Sequence, residues 1–234
     1  MKLAADLHMH SCLSPCGDAD MTPNNIVNMA YLKELDVIAV SDHNSAKNLP
    51  AVAKVCEQVG LLHIPALEVQ SEEDVHMVCY FAELDTAMQF DALIYAKLPD
   101  IPNNPKFFGE QIIMDENDEV IGEEPRLLLQ GVGMNIDEVF DLCQSMGGVC
   151  VPAHINRQAN SLLYTLGFMP ASPVFATVEV NRNAPAPDID LSDKHVLYSS
   201  DAHYLENILE REVMIDIPER TAHAFVEKMR TYKA

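Results

Sequence analysis

A chain of 234 residues with 48% apolar content can bury a sizeable core as a single domain spanning 1–234. Its formal net charge of −21 argues against the basic footprint of a duplex nucleic-acid binder, so no long duplex partner is expected, although bound cations would still admit a small anionic substrate. No run approaches the roughly 18 apolar residues of a membrane helix, and no basic leader precedes an apolar stretch, so a cytoplasmic protein with no membrane partner is expected.

Residues 2–10 begin apolar and then alternate, predicting a first β-strand with His8 and His10 on one face. A loop follows over 12–21. It carries Cys12 and Cys16, whose Cys-x-x-x-Cys spacing has no second pair to complete a zinc site, so a loop-packing role is expected. The other cysteines, Cys56, Cys79, Cys143 and Cys150, lie in apolar runs and read as small hydrophobes. Thr22-Pro23 opens a helix over 23–34. Residues 37–40 read as a short strand ending in Ser41-Asp42-His43-Asn44, and Asn48 with Pro50 opens a second helix that Gly60 closes. Strands over 61–69 and 75–81 precede a helix over 84–98. The segment 100–126 then breaks the rhythm. Alternation on either side of Asp115-Glu116-Asn117-Asp118 predicts a β-hairpin excursion over 111–121. A helix over 136–146, a strand over 149–153, a helix over 158–166, strands over 174–180 and 196–200 and a helix over 219–232 complete the chain. Such alternation predicts an α/β fold with a mainly parallel sheet closed into a barrel.

In such a barrel the chemistry sits at the C-terminal ends of the strands. His8 and His10 follow the first predicted strand and His43 the second; Glu68 comes late in the third, and His76 lies on the next. His154 follows 149–153, and Asp201 with His203 repeats the i, i+2 spacing after 196–200. Asp18 is in the loop after His10. This many convergent nitrogen and oxygen donors are costly to bury unless cations partner them.

The segments Asp6-Leu7-His8-Met9-His10-Ser11, Ser41-Asp42-His43, Glu68 with His76, Ala153-His154 and Ser200-Asp201-Ala202-His203 resemble, in order, the motifs of the PHP (polymerase and histidinol phosphatase) domain family. The resemblance implies a distorted (β/α)7 TIM-like barrel holding two or three divalent metal ions, usually Zn, Mn or Fe. It implies that His8, His10, Glu68 and Asp201 hold the first metal, and that Glu68 bridges to a second held by His76 and His154. Asp18, aligned back from Thr22-Pro23, would hold a third with His43 and His203.

The donor types agree, because imidazole with carboxylate suits Zn, Mn or Fe, whereas an all-oxygen site suits Mg or Ca. Metals sharing Glu68 would share a water and supply hydroxide near neutral pH for in-line attack on phosphorus. Glu68, Asp201 and His203 are the expected catalytic residues. Arg157, three residues after His154, and Arg182, past Val178-Glu179-Val180, are the expected phosphate-binding forks. The expected function is a metal-dependent phosphoesterase acting on a small phosphorylated substrate, a nucleotide or short oligonucleotide. Histidinol phosphate or a sugar phosphate is the alternative substrate. Two other classes compete: an amidohydrolase-type C–N hydrolase, for which none of Lys47, Lys54, Lys97 or Lys106 ends a convincing strand, and a non-catalytic metal-binding structural domain. His63 and His195 open strands and fall at the far end of a barrel, His223 reads as solvated, and Glu179 as a candidate hydrogen-bonding support.

Overall fold

The computed structural model describes residues 1–232. In chain order it contains β1 (Lys2–Asp6), α1 (Pro23–Leu32), β2 (Val37–Ile38), α2 (Leu49–Val59), β3 (Leu62–His63), β4 (Ala66–Gln70), β5 (His76–Tyr80) and α3 (Leu84–Tyr95). Next come α4 (Pro105–Phe108), β6 (Ile112–Met114), β7 (Val120–Glu123), α5 (Ile136–Ser145), β8 (Val149–Pro152) and α6 (Leu162–Leu166). The chain ends through β9 (Thr177–Glu179), β10 (His195–Leu197), a short 3-10 turn at Leu205–Asn207, β11 (Met214–Asp216) and α7 (Ala222–Arg230). No helix among the described residues is long and apolar enough to cross a membrane.

The expected closed barrel does not form. Among the described residues the strands make four separate sheets, β11-β1-β2-β3, β4-β5-β8, β9-β10 and β6-β7, and none closes. The physical reason is visible between β4 and β5. Only residues 71–75 join them, too few for a crossover, so the pair is antiparallel, and β8 adds antiparallel to β5. Among the described strands only β1-β2-β3 and β9-β10 are parallel, and β11 pairs antiparallel with β1. That last strand is not among the predicted elements, although Val213, Ile215 and Ile217 alternate inward.

Helix signals act as their chemistry dictates. The Thr22 side chain accepts the Asn25 N–H and caps α1, Gly60 closes α2 in the left-handed conformation, and Asn135 with Glu138 forms a capping box on α5. Asn48 does not cap α2. Its amide instead donates to Ser11 Oγ (2.9 Å) and Ile112 O (3.1 Å) and accepts from Met114 N (2.9 Å).

The apolar core has two parts. One gathers the inner faces of the sheets with α7, where Phe225 meets Tyr80 edge-on at 5.3 Å. The other packs α1, α2, α3 and α5 on the outer faces. The excursion is a β6-β7 hairpin with a register shift, preceded by α4. It buttresses the loop after β1: Ile112 N donates to Cys12 O at 2.9 Å, and Asp118 accepts from Thr22 Oγ1 and Asn24 N. The tightest point of this contact is Gly109, with φ 108° and a position where a Cβ would lie 2.0 Å from Pro15 O. Gly109→Ala should therefore cost about 2–3 kcal/mol, whereas Gly60→Ala, with open space around it, should cost about 1 kcal/mol. Urea denaturation of the two variants measures the difference.

Candidate metal centre

β1 ends before the histidines, but its pairing continues as backbone contacts between the segments that carry the ligands. Asp201 N donates to His8 O (2.9 Å), His10 N to Ala202 O (2.9 Å), Ser41 N to Met9 O (2.8 Å) and Asn44 N to Glu68 O (2.8 Å). Single bridges join Met9 to Ala202 and His43 to Glu68, and Ala153 N donates to His76 O at 2.9 Å. The buried carboxylate of Asp6 fastens this arrangement by accepting from Ser200 N and Leu209 N, both at 3.0 Å. His154 (φ 30°) and Asp201 (φ 54°) sit in the left-handed region, a strain that the surrounding contacts hold in place.

Glu68 is the centre of the result. It is fully buried, and five imidazoles face it: His43 Nδ1 at 2.9 Å, His76 Nδ1 at 3.0 Å, His8 Nε2 at 3.3 Å, His154 Nε2 at 3.4 Å and His10 Nε2 at 3.5 Å. Asp201 Oδ1 lies 3.2 Å from His10 Nε2 and 3.5 Å from His8 Nε2. Despite these distances neither Glu68 oxygen has an aligned hydrogen bond, nor do Nδ1 of His43 and Nδ1 of His154. Donor atoms this close, buried, and turned off one another's axes are the arrangement a cation would satisfy. Three groups with ligand atoms mutually within 4.8 Å emerge: His8-His10-Asp201, His43-Glu68-His76 and His10-His43-His203. The centre is thus suited to one or more divalent metal ions.

Hydrogen bonds behind the ring set which nitrogen faces inward. Ser14 has one hydroxyl proton, and it goes to Asp42 Oδ1 at 2.7 Å; Ser14 Oγ must then accept from His10 Nδ1 at 3.0 Å. His10 therefore presents Nε2 without a proton. Glu179, an acceptor alone, holds His8 Nδ1 at 3.1 Å and also takes the His154 N–H, and Asp201 O holds His203 Nδ1 at 2.8 Å.

Electrostatics follow the same geometry. Burial opposes charge on Glu68, but His76, His8 and His43 outweigh it and hold the carboxyl well below the usual range. Burial also opposes charge on Asp201, which His8 and His10 nevertheless hold low. Burial lowers His43, yet Glu68 raises it to about 10. Burial and the neighbouring His43 and His203 push His10 well down.

Of the expected site residues, the structure brings His8, His10, His43, Glu68, His76, His154, Asp201 and His203 together. Asp18 is in none of the three groups; its carboxylate accepts from Asp20 N at 2.9 Å. Arg157 pairs with Asp201 Oδ2 and borders a cleft of about 370 Å³ with Asn181, Asn183, Ser200 and His203. Arg182 instead pairs with Glu212 at 3.0 Å and lines neighbouring clefts. Cys12 packs against Ile112 O and Met114 Sδ, as loop packing requires. Cys16 is exposed, so the packing role falls to Cys12 alone. Ser14, whose role the sequence reading did not reach, is signalled only by its four-residue spacing from His10.

Removing that support should show in metal binding. Ser14→Ala is expected to weaken divalent metal affinity by about 10–100-fold, read by competition against a chelating dye.

Comparison with known proteins gives the family. A family model described as PHP domain matches residues 6–148. No curated protein sequence matches. The fold is shared with a lesion-specific endonuclease of Pyrococcus furiosus, at TM-score 0.66 and 16% identity, covering 98% of this chain and 56% of that one. It is shared with an Endonuclease Q bound to a 27-mer duplex with an abasic lesion at its active site (TM-score 0.59, 19% identity, 87% and 49% covered). A protein of Bifidobacterium adolescentis described as a candidate metal-dependent phosphoesterase aligns over 91% of this chain and 92% of its own, at TM-score 0.61 and 20% identity. The chain spans about half the length of the two endonucleases. The Endonuclease Q complex overturns the expectation of no long duplex partner, because this fold takes a duplex there. Net charge summed over a chain does not set the field at a cation-lined mouth. With the family model covering more than half of the chain and the ligand groups assembled beneath it, the chain belongs to the PHP domain family.

Proposed function

We propose that this protein hydrolyses phosphoesters of the nucleotide type, from free nucleotides to nucleic-acid strands, at a centre of two or three divalent metal ions. The observation that carries the reading is Glu68, a buried carboxylate faced by five imidazoles with no aligned hydrogen bond to either oxygen. On this reading His8, His10, Glu68 and Asp201 hold one metal, Glu68 with His76 and His154 a second, and His43 with His203 a third. Mixed imidazole and carboxylate donors support Zn, Mn or Fe as the occupant. Bound there, such cations activate water and neutralise phosphoryl oxygens.

The chain's own groups do the positioning. Asp201 divides its carboxylate, Oδ1 toward the histidines and Oδ2 toward Arg157. Arg157 is 43% exposed and stands between the ligands and the adjoining cleft, so its guanidinium can turn to a phosphate entering there. His203, the most open of the ligand histidines at 24%, borders the same cleft, which supports a place near the leaving oxygen. Arg182, one cleft away, would meet a longer substrate and not the scissile phosphate. The phosphoesterase described in Bifidobacterium adolescentis and the lesion endonucleases support phosphoester chemistry for this fold, and the duplex in one of them supports including nucleic acid among the substrates. Lys47, one of the four lysines weighed for an amidohydrolase site, is taken up by Glu124. All six cysteines are free, with Cys79 in contact with Cys143 and Cys150, which supports a reducing, cytoplasmic setting. One domain over 1–234 accommodates the whole of this reading.

The test is a phosphoester screen of the metal-loaded protein on nucleoside monophosphates, short oligonucleotides and an abasic duplex. His10→Ala should lower kcat/KM by more than about 100-fold, beyond the loss typical of supporting residues. Undiminished phosphoesterase activity in that variant, or hydrolysis of a cyclic amide without any phosphoester cleavage, would overturn it.

A further inference from the structure

We propose that Asn160 is a positioning residue of the metal centre: its amide oxygen takes the Nε2 proton of His76 and so leaves Nδ1 of that ring free to bind metal. The inference rests on the metal-centre reading above, in which His76 is a ligand, and says what makes it one.

His76 stands between two partners. Its Nδ1 faces Glu68 Oε1 at 3.0 Å, and its Nε2 lies 2.8 Å from the side-chain amide of Asn160. A neutral imidazole has a single N–H, so what one nitrogen does decides what the other can do. With the amide nitrogen at Nε2, the orientation seen here, Nε2 accepts and the ring proton sits on Nδ1. With the amide oxygen there, Nε2 donates and the Nδ1 lone pair is bare. The far side of the ring favours the second arrangement. A proton on Nδ1 would find no aligned acceptor in Glu68, whose oxygens both lack such a bond. A cation needs no such proton, and Nδ1 lies within the His43-Glu68-His76 group. A half-turn of the amide about its Cβ–Cγ bond exchanges oxygen for nitrogen and keeps the contact. Among the described residues no other group bonds this amide, so the turn breaks only the bond it remakes.

The backbone holds Asn160 in place independently of its side chain. Its carbonyl accepts from His76 N at 2.9 Å, so main chain and amide grip the same residue. The turn that delivers it also carries His154 and Arg157: Arg157 N donates to His154 O at 2.9 Å, and Ser161 Oγ donates to Arg157 O at 2.6 Å. Asn160 itself has φ 53°, a left-handed conformation that glycine, asparagine and aspartate adopt and other residues resist. Of these three, glycine brings no oxygen to Nε2. Acceptance by the amide oxygen also fixes the plane of the ring and raises the basicity of Nδ1.

The experiment titrates zinc into metal-free protein against a chromophoric chelator and resolves the equivalents bound. Asn160→Gly keeps the left-handed backbone and its carbonyl but removes the amide. It should weaken one equivalent by about 10–100-fold and leave the rest unchanged. Asn160→Asp, an acceptor in either orientation, should bind that equivalent at least as tightly as wild type. An asparagine that served only by donating, or only by filling space, would not give this order. Nitrogen NMR of the zinc-loaded, histidine-labelled protein, assigned by comparison with His76→Gln, should show His76 protonated at Nε2. Equal affinities in wild type and Asn160→Gly, an Asn160→Asp as weak as Asn160→Gly, or a His76 protonated at Nδ1 with zinc bound overturns the proposal and leaves the metal centre standing. Wild type that binds no zinc overturns the metal centre itself and this role with it.

Discussion

Glu68 brings a full carboxylate into the interior, where imidazoles approach at 2.9–3.5 Å and neither oxygen has an aligned hydrogen bond. A charge without such bonds is among the costliest things a fold can bury. Mutual attraction with protonated histidines offsets part of that cost, as the opposite shifts of Glu68 and His43 show. It cannot do so for all five rings together, since His10 and His76 are pushed the other way by burial and by one another's neighbours. Cations held by Glu68, Asp201 and the histidines would resolve the conflict, since they would take the place of the protons.

That constraint explains features of the chain that are otherwise arbitrary. Asp6, Asp42 and Glu179 are buried carboxylates with bonds of their own, and each positions a ligand-bearing segment. Asp42 works through Ser14 to set the His10 tautomer, and Glu179 sets that of His8. The positive φ values at His154 and Asp201 belong to the same design: the chain leaves its strand direction at the point where a donor must turn inward. Even the excursion contributes, because its contact at Gly109 shapes the loop that holds Ser14 and Cys16.

The gathering of candidate donors was legible in the sequence because residues of this kind fall at the ends of apolar runs, and that signal survives errors in the strands themselves. The first strand stops at Asp6, not at residue 10, yet His8 and His10 still converge because Ala202 and Met9 pair beyond it. The division into four open sheets was not legible. Alternating strands and helices suggest parallel closure, but the five residues from Ser71 to Val75 leave no room for a crossover, and β11 is a three-residue strand visible only through Val213, Ile215 and Ile217. The loop after His10 was legible in position but not in detail. Where the Asp18 carboxylate points depends on two turns closed at Ser14 and Gly17, and no periodicity reports those. Charge is a weaker guide still, since −21 summed over the chain does not set the local field at a site that could bind cations.

The account stands or falls on whether Glu68 organises metals. Elemental analysis of the purified protein beside Glu68→Gln tests this directly, because the substitution keeps the shape and removes the charge. The account predicts two or three Zn, Mn or Fe per wild-type chain, and a loss of at least one in a variant that remains folded by circular dichroism. Equal metal content in the two proteins, or wild type that stays metal-free after reconstitution, would contradict it.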